Sequence, residues 1–189
     1  MTVPLVKQAH NKLAAYICDG DCVVDATMGN GFDTLFLADR VGPSGKVYAF
    51  DLQVAALDET GAKLKAVNLA DRVCLINDNH ANLASHLTAH QVLLIRCAMF
   101  NLGYLPGSDK TCQTNPNSTL KALDAALAQL DTPGIVSVLA YTGHAGGRVE
   151  ADMVRSWALG LSTAVYRVTI EVPTVVKNSP PELIIIEKL

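Results

Sequence analysis

Val24-Asp25-Ala26-Thr27-Met28-Gly29-Asn30-Gly31 is the stretch on which the reading of the fold turns. Upstream of it, Asp21–Ala26 carries Cys22, Val23 and Val24, an apolar run with the length of a buried strand. Downstream, Thr34–Val41 reads as a helix broken at Gly42-Pro43-Ser44-Gly45. Between them, Gly29 and Gly31 let the backbone turn sharply and pass close to a ligand that a Cβ would repel. Strand, glycine turn and helix in that order open a parallel α/β sheet.

Outward from this loop the same alternation repeats. Leu5, Ala9, Leu13 and Ile17 fall at four-residue spacing and predict a helix over 5–17. Lys46–Asp51 reads as a second strand, Val54–Leu69 as a helix, Arg72–Ile76 as a third strand and Ala81–His90 as a helix. Gln91–Phe100 holds a fourth strand, and a polar loop runs from Gly103 to Asn117. Ser118 is expected to cap a helix lined by Leu120, Leu123, Leu127 and Leu130. Gly134–Tyr141 is a fifth strand, and Val149, Met153 and Trp157 mark the apolar stripe of a helix stopped at Gly160. Residues 163–172 and 182–189 form two final strands around Asn178-Ser179-Pro180-Pro181. The fold class is therefore α/β, a mostly parallel sheet with helices on both faces and an antiparallel C-terminal hairpin. No linker or repeat interrupts it, so residues 1–189 are expected to form a single domain.

Composition narrows the class further. Half of the residues are hydrophobic and 17% are charged, which argues against a disordered or fibrous chain. The longest apolar runs, such as Val92–Ile95 and Leu183–Ile186, have the length of buried strands and fall far short of the roughly 18–20 residues of a membrane helix. Met1–Lys7 lacks the charged start and long apolar core of a secretory signal, so a cytoplasmic location without membrane attachment is expected. Cys18, Cys22, Cys74, Cys97 and Cys112 contain no C-x-x-C pair, which predicts reduced, mostly buried thiols and no metal site. The net charge of −3 neither demands nor excludes an RNA partner.

Two acids sharpen the glycine loop. Asp25 precedes the glycines, where a carboxylate suits the ammonium end of an amino-acid ligand. Asp51 closes the second strand 20 residues after Gly31, where an acid can accept both ribose hydroxyls. A nicotinamide enzyme shares the second acid but prefers a third glycine at the place of Thr34, and its pyrophosphate would be repelled by Asp25. The pattern favours S-adenosylmethionine, held by Asp25, Thr27, Met28, Gly29, Asn30, Gly31, Asp51, Leu52 and Gln53. The third strand ends in Asn77-Asp78-Asn79-His80, where Asp78, Asn79 or His80 can read an adenine amino group, although Asp78 or Asn79 equally suits a helix cap.

The fourth strand runs into Met99-Phe100-Asn101-Leu102-Gly103-Tyr104-Leu105-Pro106-Gly107. Its layout is similar to the acid-or-asparagine, proline, proline, aromatic motif of methyltransferases acting on amino nitrogens. An Asn101 oxygen can hold the N–H groups of an attacking amine, while Tyr104 supplies a stacking wall. His144, between glycines after the fifth strand, is placed to contact substrate or take the amine's proton. Asn101, Tyr104 and His144 are thus the catalytic candidates, with Asn101 also beside the cofactor. Leu102, Gly103, Pro106, Lys110, Tyr141 and Arg148 are candidates for substrate contact. His10, His86 and His90 read as solvated side chains on helices.

These strings, with Asp109-Lys110, Ser118-Thr119-Leu120-Lys121-Ala122, Gly143-His144 and Pro180-Pro181, follow one another in the order of a known family. From about residue 20 onward the chain resembles the bacterial rRNA-methylase family, which includes the tRNA 5-(aminomethyl)-2-thiouridine methyltransferases of Gram-positive bacteria. The resemblance implies a seven-stranded, Rossmann-like class I methyltransferase sheet and a homodimer. It also implies methylation of the primary amine of a tRNA wobble uridine, with the anticodon arm as partner. Phe32 stands where the family usually has His, Ser108 where it has Gly, and Ala145 where it has Pro. An rRNA base or small molecule as acceptor, and a non-catalytic cofactor-binding module, are the alternatives.

Overall fold

The computed structural model describes residues 3–104, 113–173 and 180–189. The strands are β1 (Cys22–Asp25), β2 (Lys46–Asp51), β3 (Val73–Asn77), β4 (Ile95–Leu102), β5 (Leu130–Ala140), β6 (Tyr166–Glu171) and β7 (Glu182–Lys188). They join one sheet in the order β3-β2-β1-β4-β5-β7-β6, in which β1 to β5 pair parallel and β7 runs antiparallel to both β5 and β6. The helices are α1 (Leu5–Leu13), α2 (Phe32–Arg40), α3 (Val54–Ala66), α4 (Leu83–Ala89), α5 (Pro116–Ala128) and α6 (Gly147–Leu159).

The two-residue period of the strands divides the core. Val23, Val47, Ala49, Cys97 and Met99 point to α1, α2 and α3, where Leu5, Ala9, Leu13, Leu37, Ala38 and Leu64 meet them. Val24, Tyr48, Phe50, Ala98 and Phe100 point the other way, against Leu83 and Leu87 of α4, Leu123 of α5 and Val154 of α6. Because both faces are covered, β2 is buried at four consecutive residues, Val47–Phe50. The expected α/β sheet, with helices on both faces and a terminal antiparallel pair, is therefore the observed one.

Several boundaries and faces differ from expectation. The first helix stops at Leu13, because Ala15 and Tyr16 tighten to bonds on Lys12 and Leu13; Ile17 is buried beyond the helix end. The run Val92–Ile95 is not a buried strand: Gln91 takes φ +58° and Leu93 is 84% exposed, so β4 begins only at Ile95. Asn115, not Ser118, caps α5; its side chain accepts from the Ser118 N–H at 3.1 Å, with Pro116 opening the helix. Leu130 lies in β5 rather than on that helix. On α6 the buried face is Glu150, Ala151, Val154 and Ala158, while Val149 and Met153 face outward. Ala151 and Ala158 let the helix lie close on the sheet, and Glu150 is accommodated there because the Thr114 and Thr119 hydroxyls donate to its carboxylate.

β1 is flanked by β2 on one side and β4 on the other. After β1 the chain steps outward to β3, then returns across the sheet to β4. The bond from Ala26 N to Met99 O (2.9 Å) is followed by loops that diverge, and a cleft opens at the carboxyl ends of these strands.

Candidate active site

The cleft holds about 690 Å³, within the range of small-molecule sites. One wall is the loop after β1. Gly29 (φ +52°) and Gly31 (φ +79°) are left-handed, and the loop is tied down by Met28 N to Phe50 O at 2.8 Å. A Cβ on Gly31 would stand 2.5 Å from the Thr60 hydroxyl, so this glycine also answers to the packing of α3, not to a ligand alone. Asp51 accepts from the Gly29 N–H (2.9 Å) and the Gln53 N–H (2.9 Å), which holds its carboxylate toward the cleft with a lone pair left on each oxygen.

Asp25 has a different place from the one its sequence position suggested. It is fully buried beneath the loop, off the cleft wall, and accepts from the Thr34 hydroxyl (2.6 Å) and the Thr27 N–H (3.2 Å). Burial, then the neighbouring Asp33 charge, pushes its carboxyl up to about 7. It therefore braces the loop and does not face a ligand's ammonium group. The carboxylate that does line this wall is Asp33, in the first turn of α2. Asp33 accepts from His10 Nε2 (2.5 Å) and Asn101 Nδ2 (2.7 Å), while the His10 ring stacks on Phe36 at 3.9 Å. His10 is thus an interior partner of the site rather than a solvated side chain. Neither residue was foreseen, although Asp33 lies two places after Gly31 and His10 borders the buried α1 stripe.

At the far end of β3, Asp78, Asn79 and His80 all line the cleft. The capping alternative applies here: Asn79 accepts from the Ala81 N–H (2.8 Å) and opens a short 3-10 turn. Asp78 is held by His86 Nε2 (2.8 Å) and the Asn82 amide, which lowers its pKa, and His86 too is paired rather than solvated. His80 Nδ1 stands 3.1 Å from Ala26 O, so its proton sits there. Its buried Nε2 has no partner among the described residues and is an acceptor, and burial lowers its pKa and keeps the ring neutral.

The opposite wall comes from β4 and β5. The Asn101 N–H donates to the Thr27 hydroxyl at 2.7 Å, tying the two loops across the cleft. A carboxylate only accepts, so Asp33 fixes the Asn101 NH2 on its own side and leaves the amide oxygen as the free acceptor. His144 Nδ1 faces the Gln113 amide oxygen and Ala145 O, both at 3.1 Å, which places its proton there and leaves the buried Nε2 with a lone pair. Its ring meets Tyr104 edge-on at 5.7 Å. Leu102, Gly103 and Tyr141 also line this wall.

Pro106, Lys110 and Cys112 lie outside the described residues. Arg148 is not a free phosphate ligand: it pairs with Asp152 (2.9 Å) and Glu182 (3.4 Å). Of the described cysteines only Cys97 is buried, and Cys18 is exposed. Among the described residues no cluster of His, Cys, Asp or Glu is arranged to hold a metal, and no helix is long and apolar enough to cross a membrane.

Residues 47–187 match the protein family described as "Putative rRNA methylase". The chain belongs to this rRNA-methylase family. A Clostridium thermocellum protein described as a "putative rRNA-methylase" is 38% identical with a TM-score of 0.94, each chain being covered over 100% of its length. SMU.1697c of Streptococcus mutans, described as a "putative methyltransferase" and solved in complex with SAH, is 35% identical with a TM-score of 0.89 over 100% of both chains. The Arabidopsis thaliana tRNA (mnm(5)s(2)U34)-methyltransferase, chloroplastic, is 39% identical over 161 residues, 81% of this chain and 58% of that protein. The chain thus spans little more than half the length of that curated relative. The rRNA-methylase sheet described above is the Rossmann-like class I methyltransferase fold, with seven strands and the antiparallel C-terminal pair.

Proposed function

We propose that this chain is an S-adenosylmethionine-dependent N-methyltransferase that methylates the primary amine of 5-aminomethyl-2-thiouridine at the tRNA wobble position. The observation that carries the reading is one cleft with two differently built walls. A glycine loop with Asp51 forms one, and Asn101, Tyr104 and His144 form the other. The similarity to the Arabidopsis thaliana tRNA methyltransferase and to the SAH-bound Streptococcus mutans protein supports the same reading.

The residues present fit the cofactor. The Asp51 carboxylate keeps lone pairs for a ribose diol, and His80 presents an orphaned acceptor nitrogen suited to an amino group. Asp78, Asn79 and Leu52 complete the nucleoside side, and Thr27–Gly31 with Gln53 would hold the amino-acid end. Bound there, the sulfonium supplies an already activated methyl group, so the protein's task is positioning. The Asn101 oxygen accepts an N–H of the incoming amine and directs its lone pair. Tyr104 and Tyr141 wall the base, and His144 Nε2 receives the proton that the methylated nitrogen releases.

Asn101 and His144 present acceptors, which suits a nitrogen nucleophile bearing hydrogens. A homodimer acting on the anticodon arm belongs to the same proposal and rests on the family resemblance. The decisive experiment is mass spectrometry of tRNA nucleosides from a strain lacking the gene. Accumulation of the unmethylated aminomethyl nucleoside, reversed by re-expression, is the expected result. Unchanged tRNA nucleosides would point instead to an rRNA or small-molecule acceptor, or to a binding module.

A further inference from the structure

Asp33 joins three elements at the acceptor wall. Its side chain is 14% exposed and takes a hydrogen bond from α1 on one oxygen and from β4 on the other. The α1 partner is itself fixed, since the His10 ring lies flat on Phe36 with an interplanar angle of 4°. Across the wall, burial raises the Tyr141 phenol pKa, and the Asp33 charge adds to the rise. The carboxylate is therefore felt at both Asn101 and Tyr141, the residues that flank the acceptor.

We propose that His10, Asp33 and Asn101 form the device by which this site takes an amine. Asp33 locks the Asn101 carbonyl oxygen toward the acceptor nitrogen and polarises that amide, and His10 holds Asp33 in place. The inference rests on the N-methyltransferase reading and assigns it two residues. In the transfer, the nitrogen lone pair forms the new N–C bond and the C–S bond pair leaves with sulfur. Positive charge thus passes from sulfur to nitrogen, and an N–H proton then leaves to His144 Nε2. Through its bond from the Asn101 NH2, the carboxylate polarises the amide so that the carbonyl oxygen facing the nitrogen stabilises the charge as it develops. Acceptors on both sides also disfavour a nucleophile with no N–H to give. Asp33 and His10 act through Asn101 and are positioning residues.

The test uses purified protein, S-adenosylmethionine and tRNA from a strain lacking the gene. Asp33→Asn should lower kcat about a hundredfold while SAH affinity stays within about threefold by calorimetry. Intact SAH binding also shows that the variant is folded. His10→Ala should lower kcat about tenfold, and His10→Gln, which retains an N–H donor for Asp33, should recover most of that loss. A tenfold or larger loss of SAH affinity in Asp33→Asn, on the order of 1.4 kcal/mol, would make Asp33 a cofactor ligand and overturn the proposal. So would unchanged turnover, and His10→Gln no better than His10→Ala would remove His10 from the device. If the wild-type protein methylates no tRNA, the proposed function fails and this inference fails with it. An active wild type with an equally active Asp33→Asn sinks the inference alone.

Discussion

Asp25 shows how one residue can be placed correctly along the chain and misjudged in space. An acid four residues before Gly29 has the sequence position of a ligand-facing carboxylate, but Thr34 and Thr27 turn it inward to brace the loop. Its pKa of about 7 makes the consequence measurable. The folded value lies above the ordinary carboxylate value, so between about pH 4 and 7 the folded chain keeps a proton that the unfolded chain has lost. Stability contributed by this group is therefore present at acid pH and falls as pH rises toward 7, by at most about 1.4 kcal/mol per pH unit. Above pH 7 the loss is complete and the curve flattens. Asp25→Asn removes the titration and can still accept from one of the two partners. Denaturant unfolding of both proteins from pH 4.5 to 8 should show the wild type losing ground to the variant up to about pH 7 and then running parallel. A difference that does not change with pH would mean that Asp25 ionises like an exposed acid.

At the scale of elements, the acceptor loop is held by a buried strut from α6. Glu150 is 1% exposed and accepts from the hydroxyls of Thr114 and Thr119, each at 2.6 Å. Thr114 in turn takes the Gly103 N–H at 2.9 Å and returns its own N–H to Gly103 O at 2.8 Å. Glu150→Gln puts an NH2 against one hydroxyl, so a buried donor loses its acceptor, at a cost of about 1–3 kcal/mol. Methyl transfer should slow while SAH affinity holds, because the strut supports the wall of Asn101 and Tyr104 rather than the glycine loop. Equal loss of both would place Glu150 in general stability only. Nothing in the α6 sequence announced this role: Val149, Met153 and Trp157 gave the louder signal, yet Val149 and Met153 face outward. The loop after β1 and the acid ending β2 were legible because special φ values and strand ends leave local marks, as at Gly29, Gly31 and Asp51. The pairing of His10 with Asp33 left none, since it depends on how α1 crosses α2, and contacts between distant elements are not written in periodicity.

On the whole molecule, the arrangement of charge bears on how a chain of net charge −3 would meet tRNA. Six of its thirteen described lysines and arginines are already in ion pairs, Arg167 with Glu187 among them. Arg96 pairs with Asp21 and Asp131, Arg155 with Glu182, Lys12 with Glu171 and Lys63 with Glu59, and Arg148 is held as above. Binding that neutralises a few phosphates releases few counterions, so affinity should depend weakly on salt. The cleft rim supplies the other kind of contact: Phe32 is 68% exposed with Lys63 Nζ 4.4 Å from its ring centre, and Tyr141 is 42% exposed. Stacking of an unpaired base on such rings is worth about 1–3 kcal/mol each and is insensitive to salt. Anisotropy titrations with an anticodon stem-loop should therefore give a plot of log affinity against log salt with a slope shallower than about −3. Phe32→Ala should weaken binding about tenfold or more without changing that slope. A slope steeper than about −5, or a loss in Phe32→Ala that vanishes at high salt, would show that phosphate contacts dominate docking.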